Sequence, residues 1–141
     1  MKSWPLIAIF LLSGCLDEDI ADHFVDDESQ QSLSVLASES QVFVCVVAIY
    51  RASPTAEPPE LEQNFEPWST IPLTERVHET SIEMRALGRA GECWNEEILT
   101  VTGSPSPWEY LEATKPMNSF DHGGNVALFD PQRNIFVAFT G

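Results

Sequence analysis

The chain has 141 residues, of which 43% are hydrophobic and 10% are aromatic. This composition is too apolar for a wholly disordered chain, and the length suits one domain with a core of its own. Acidic side chains outnumber basic ones by 22 to 7, which gives a formal net charge of −15. Because nucleic-acid binding needs a basic patch, a chain with so few basic residues is not expected to have a nucleic-acid partner.

The first 14 residues have the composition of a secretory signal peptide. Lys2 supplies one positive charge, residues 6–12 form an apolar run, and small residues precede Cys15. The apolar run is too short to span a bilayer, which takes roughly 20 apolar residues. The pattern therefore predicts export, with residues 1–14 removed from the mature chain.

The segment Leu12-Ser13-Gly14-Cys15 resembles the lipobox of bacterial lipoproteins. The resemblance implies cleavage just before Cys15, a diacylglycerol on its thiol and an acyl chain such as palmitate on its new amino group. Two or three acyl chains anchor a protein stably where one does not, so Cys15 would hold the chain on a lipid bilayer. Because Leu16 rather than an aspartate follows Cys15, the resemblance favours the periplasmic face of an outer membrane. The alternative is an ordinary signal peptide followed by a chance cysteine.

The stretch at residues 15–31 carries seven acidic side chains and neither Lys nor Arg. Like charges repel and extend a chain, so this stretch is predicted to be a flexible acidic tether. A calcium-binding loop is the alternative, but the stretch lacks the alternating oxygen ligands and the central glycine of such a loop. Residues 32–141 are then expected to form a single β-rich periplasmic domain.

Three segments of this domain are predicted to be strands, and a fourth is predicted to be either a short helix or a strand. Residues 41–50 are apolar at both odd and even positions and rich in β-branched side chains. This pattern indicates a strand buried on both faces at the centre of a sheet. Residues 33–38 suit a short helix or a preceding strand. Residues 79–85 alternate like a strand with one wet face, and residues 98–102 are predicted to pair with them in a hairpin.

Prolines and turn residues divide the rest of the domain. Residues 53–72 contain five prolines and are predicted to be a long surface loop. Residues 108–114 suit one or two helical turns. Residues 126–129 and 135–139 flank a proline-containing turn and predict a β-hairpin. The expected fold is mainly β or α+β, a small antiparallel sheet or sandwich with one or two short helices.

If Cys15 carries lipid, Cys45 and Cys93 remain as a pair in an exported protein, where a disulfide is the expected state. Closing the loop between them would stabilise the fold by about 4 kcal/mol. A catalytic thiol is the alternative, but Cys45 lies among valines, where a thiolate is disfavoured.

No catalytic, metal or cofactor site is predicted. The three histidines, His23, His78 and His122, are too far apart in sequence for the usual zinc spacing. The segment Asp121-His122 before two glycines resembles a catalytic pair, but a turn leading into the next strand is the simpler interpretation. An anchored hydrolase is therefore the minority hypothesis.

Two tryptophans suggest recognition of a protein partner. Trp68 and Trp108 each follow a proline, and Glu66 and Glu109 lie close by. An aromatic side chain among acidic groups suits a basic partner, because aromatics form binding hot spots and acids steer the approach. The alternative is that both tryptophans fold back over the sheet as lids.

Two functional hypotheses follow from these features. The first is a non-catalytic envelope lipoprotein that binds a protein or serves as an accessory module. The second is a periplasmic inhibitor or immunity protein that neutralises a basic cell-wall hydrolase or toxin.

Overall fold

One five-stranded antiparallel sheet organises the domain. Its strands in chain order are β1 (Ser34–Gln41), β2 (Cys45–Arg51), β3 (Met117–Phe120), β4 (Asn125–Asp130) and β5 (Ile135–Thr140). They lie in the spatial order β1-β2-β5-β4-β3. The structure is a computed structural model that describes residues 20–41, 44–53 and 57–140.

Short helices complete a small α+β fold, which is the second of the two fold classes that the sequence predicts, with more helices than the one or two expected. Helix α1 (Asp27–Gln31) precedes the sheet, and α2 (Leu73–Arg76), α3 (Ile82–Ala90), α4 (Glu96–Thr102) and α5 (Pro107–Thr114) lie between β2 and β3. The side chains of Ser81, Asn95 and Ser106 accept hydrogen bonds from backbone N–H groups in the first turns of α3, α4 and α5. These N-caps satisfy donors that a helix start leaves unpaired, and so determine where each helix begins.

Both faces of the sheet are buried. On one face, Ile49 and Val137 pack with helical side chains such as Leu87. On the other face, Tyr50 and Phe136 pack with segments that precede β1 and follow β2. Alternate residues of a strand point to opposite faces, so a strand buried on both sides must be apolar at both parities. This confirms the predicted burial of β2 on both faces, although Gln41 belongs to β1 and residues 42–43 lie outside the described residues. The predicted central position is wrong, because β5 is the middle strand and β2 lies between β1 and β5.

The segment predicted to be an acidic tether packs against the sheet from residue 20 onwards. Ala21 and Val25 are buried, and Phe24 is 1% exposed, with its ring centroid 5.3 Å from that of Phe65 and 6.3 Å from that of Phe136. Apolar side chains interspersed among the acids bury themselves while most of the acids stay at the surface. The tether prediction is therefore wrong for residues 20–31, and residues 15–19 lie outside the described residues.

An acidic side chain fixes the start of α1. Asp26 accepts a hydrogen bond of 2.7 Å from the backbone N–H of Ser29 and caps the helix. This bond lowers the pKa of Asp26, and the neighbouring Asp26 carboxylate raises the pKa of Glu60. The backbone N–H of Asp26 also donates to the Glu60 carbonyl at 3.2 Å. The acidic stretch is thereby joined to the proline-rich loop.

The hairpin predicted from residues 79–85 and 98–102 is wrong, because these segments lie in helical structure. Residues 82–85 open α3, and residues 98–102 belong to α4. The buried positions Glu83, Ala86, Leu87 and Ala90 follow helical spacing. This spacing and the Ser81 cap outweigh the short alternation that suggested a strand.

Other predictions of local structure are confirmed. Strands β4 and β5 form the expected antiparallel hairpin, and α5 covers the residues predicted to be helical. Of the two interpretations of residues 33–38, the strand is correct from Ser34. Residues 57–72 run irregularly, but part of this loop covers the sheet, since Phe65 is buried.

Candidate functional site

The predicted disulfide is present between Cys45 and Cys93. The two residues are 48 positions apart and both are buried, at 3% and 1% exposure. The bond joins the start of β2 to the short 3-10 turn Gly91–Cys93 that follows α3. Its position in the core shows that the pair has a structural role rather than that of an exposed catalytic thiol.

The two tryptophans that were predicted to act alike occupy different environments. Trp68 lies over the second face of the sheet, with its ring 6.3 Å from Phe129 and 6.2 Å from Phe136. Its Nε1–H donates to the Pro59 carbonyl at 2.9 Å, so the lid interpretation is correct for Trp68. Trp108, in the first turn of α5, is 43% exposed and remains the candidate for partner binding.

Trp108 borders a surface cleft of about 340 Å³ between α5 and the segment around α2. One wall comes from α5 and its C-cap: Trp108, Leu111 and Glu112 recur at helical spacing, and Lys115 follows the last helical residue. The other walls and the floor are formed by Thr70, Pro72, Leu73, Thr74, Pro116 and Asn118. The cleft is mainly apolar; its carboxylate belongs to α5, and its ammonium group belongs to Lys115, the residue that caps the end of α5.

Asn118 ties one wall of this cleft, the α2 segment, to the sheet. Its Nδ2–H donates to the Ile71 carbonyl at 2.7 Å, and its Oδ1 accepts from the Arg76 guanidinium at 2.6 Å. Its backbone also exchanges two hydrogen bonds with Ser69, of 2.9 and 3.0 Å, at an isolated bridge. Because these bonds join β3 to the α2 segment, this wall of the cleft is fixed in the fold. Sequence reasoning missed Asn118, since its partners are more than 40 residues away.

One acidic side chain lines the cleft, and two more follow lining residues in the chain. Glu112 lines it, Glu109 lies one turn earlier on α5, and Glu75 directly follows the lining residue Thr74. All three side chains belong to exposed residues. Glu109 thus keeps the predicted place beside an exposed tryptophan, whereas Glu66 lies elsewhere.

Glu66 contacts His122 rather than a binding tryptophan. The Oε1 atom of Glu66 is 2.7 Å from Nε2 of His122, and Nδ1 of the same ring is 3.9 Å from Oε1 of the buried Glu83. Within the described residues, Glu83 Oε2 makes no hydrogen bond. Both nitrogens of His122 thus face carboxylates, an arrangement that ties the proline-rich loop to the β3–β4 connection.

The segment around Asp121 forms the turn that its composition predicts. Asp121 Oδ1 accepts from the backbone N–H groups of Gly123 and Asn125, at 2.8 and 3.1 Å. His122 and Gly124 have positive φ angles, and glycine adopts such angles at little cost. This geometry supports the turn interpretation of Asp121-His122 over the catalytic one.

The remaining predicted sites fall outside this region. Cys15 and the signal peptide lie outside the described residues. His23 and His78 are exposed, and His78 Nδ1 lies 2.8 Å from the Thr80 hydroxyl. Within residues 20–41, 44–53 and 57–140, no group of three His, Cys, Asp or Glu side chains is placed to hold a metal ion. Over the same ranges, every helix is too short or too polar to cross a membrane.

No protein-family model, curated protein or solved structure matches this chain.

Proposed function

We propose that this chain is an envelope lipoprotein, anchored to a membrane through Cys15, whose folded domain is a non-catalytic module that binds a basic protein partner. The observation that carries the proposal is the apolar cleft beside the exposed Trp108, which is lined by Glu112 and has the exposed Glu75 and Glu109 next in the chain to lining residues. Exposed apolar patches rimmed by polar groups are typical of protein-binding sites, and tryptophan is enriched at their centres.

The packing of residues 20–31 supports a short connection to the membrane. Between Cys15 and the first described residue, Ile20, the chain can span at most roughly 17 Å. A lipid-anchored domain with such a short link stays close to the bilayer. Its partner is then expected to be membrane-associated or to work near the membrane surface.

The surroundings of His122 support a binding role over a catalytic one. Both ring nitrogens of His122 face carboxylates, at 2.7 and 3.9 Å, rather than a serine, threonine or cysteine nucleophile. The disulfide lies in the core between the sheet and the helices, on the face that includes Ile49 and Leu87, and neither cysteine lines the cleft.

Intact-mass measurement tests the anchor. The full chain, produced in a bacterium with its own signal segment, is expected to start at Cys15 and to carry the mass of a diacylglycerol and an acyl chain. A Cys15→Ser variant should lose this mass and leave the membrane fraction. An unmodified chain that starts at another residue would contradict the anchor.

Affinity capture tests the binding module. The immobilised full chain should retain a basic protein from envelope extract at low salt and release it at high salt, because charge pairs at a surface are screened. Recovery of no protein at either salt would count against a binding role. If the retained protein is a cell-wall hydrolase or toxin that loses activity on binding, the inhibitor hypothesis is favoured over the accessory one.

A further inference from the structure

The cleft beside Trp108 has the size and lining of a socket for apolar side chains. Its volume of about 340 Å³ lies at the lower end of the range for ligand pockets. The side chains of Leu73, Pro72, Leu111 and Pro116 contribute to its apolar lining. Such a site suits one or two apolar side chains of a larger partner.

Exposed apolar surface extends beyond the cleft itself. Among the described residues, Ile71 is the most exposed large hydrophobic side chain, at 55%, and its two chain neighbours line the cleft. Trp108 stands on the opposite wall. An apolar surface that runs from Trp108 through the cleft to Ile71 beyond it fits a peptide segment better than a small molecule.

The side chain of Asn118, which lines the cleft, already forms hydrogen bonds within the protein. Asn118 is 1% exposed, and its side chain bonds to Ile71 and Arg76 within the protein. A polar small molecule would have to displace these bonds, whereas an apolar side chain leaves them intact.

The charges around the cleft indicate which charged residues a bound partner segment would carry on either side of its apolar side chain. Glu75, Glu109 and Glu112 are exposed at or beside the mouth, with Lys115 as a basic residue of the lining. The neighbouring Arg76 keeps its positive charge, and its guanidinium donates to Asn118 and lies 4.9 Å from the centre of the Phe120 ring. Three carboxylates against the two cations Lys115 and Arg76 leave a net charge of −1 in this region, so a partner segment with arginines or lysines complements it.

We infer that the cleft binds a basic segment of the partner protein, in which one apolar side chain enters beside Trp108 and flanking cations pair with Glu109 and Glu112. This inference rests on the proposed function and names the surface and the chemistry of its ligand. The aromatic face of Trp108 adds attraction for an arginine that passes over it.

Binding of two synthetic peptides to the purified full chain tests this inference. One peptide has a central phenylalanine flanked by arginines, and the other has glutamates in place of the arginines. Fluorescence anisotropy at low salt should show at least tenfold tighter binding of the arginine peptide. Trp108→Ala is expected to weaken this binding roughly tenfold, as truncation of a central aromatic does.

Charge variants give an independent measurement on exposed side chains. Glu112→Lys should weaken binding of the arginine peptide and strengthen binding of the glutamate peptide. Glu109→Gln with Glu112→Gln should weaken the arginine peptide about threefold and reduce its salt dependence. The matched controls lie on α4: Leu99→Ala removes an exposed apolar side chain, and Glu96→Gln with Glu97→Gln removes two exposed acids. Both controls should bind like the unmodified chain.

Equal affinity for the two peptides would overturn the inference, and so would unchanged binding by both Trp108→Ala and Glu112→Lys. If envelope extract yields a partner that both variants retain, the binding function stands and the cleft is not its site. If the peptides behave as expected but the extract yields no partner, the chemistry of the cleft stands and the proposed envelope role fails.

Discussion

Replacing Cys45 and Cys93 by alanine is expected to lower the free energy of unfolding by about 4 kcal/mol. The bond closes a loop over a sequence separation of 48 residues, and the chain-entropy relation gives this magnitude for a loop of that length. Small domains have about 5–15 kcal/mol of stability in total, so the loss is a large share. The double variant is therefore expected to be marginally folded at physiological temperature.

Urea unfolding followed by circular dichroism measures this difference. Both chains should carry Cys15→Ser, so that the thiols at positions 45 and 93 are the only ones compared. The crosslinked unfolded chain exposes less surface, so the alanine variant should also show a steeper dependence on urea. Because both sulfur-bearing residues are buried, a mild reductant should leave the folded chain oxidised and act only as urea opens it.

A matched surface variant separates loss of the crosslink from general sensitivity to substitution. Replacing the exposed Thr100 by alanine should change the unfolding free energy by less than about 0.5 kcal/mol. The reasoning is refuted if mass spectrometry confirms the disulfide and the double alanine variant still unfolds at the same urea concentration as the oxidised chain.

Two further predictions concern the core. Phe24→Ala should lower the unfolding free energy by about 3–5 kcal/mol in the same urea assay, because the Phe24 ring is 1% exposed. The control His23→Ala changes an exposed neighbour and should have little effect. Equal effects of the two substitutions would restore the tether interpretation. Tyr110→Phe should cost about 1–3 kcal/mol at neutral pH, because the Tyr110 hydroxyl donates to the buried Asp130 at 3.2 Å. Burial and the Asp130 charge raise the pKa of Tyr110, so the folded state retains its proton where the unfolded state loses it, and stability should fall as the pH rises above the ordinary tyrosine value. Urea unfolding at increasing alkaline pH should show a smaller loss for Tyr110→Phe, and an equal loss would contradict this role.

Several features were predictable because short sequence patterns carry their physical cause. The apolar run of β2 requires burial on both faces, and the proline turn between β4 and β5 brings two apolar segments together. The pairing of Cys45 with Cys93 followed from the number of cysteines left in an exported chain. The turn at Asp121 followed from an aspartate before two glycines.

Helices α3 and α4 were predicted wrongly because the local pattern is ambiguous over a few residues. Residues 79–85 alternate in polarity, yet Ser81 caps a helix whose buried side chains extend to Ala90. A short alternating run fits a strand, and only packing of Leu87 and Ala90 against the sheet decides the matter.

The sequence alone determined the class of fold, the disulfide pair and an acidic chain with two candidate tryptophans. Tertiary structure decided which acidic residues belong to the domain and which tryptophan remains exposed. Phe24 draws an acidic segment onto the sheet because the second face needs cover, and the same face takes Trp68 as a lid. Asn118 fixes the α2 segment to β3, on the side of the cleft opposite Trp108. These outcomes depend on contacts between distant segments, which no local pattern encodes.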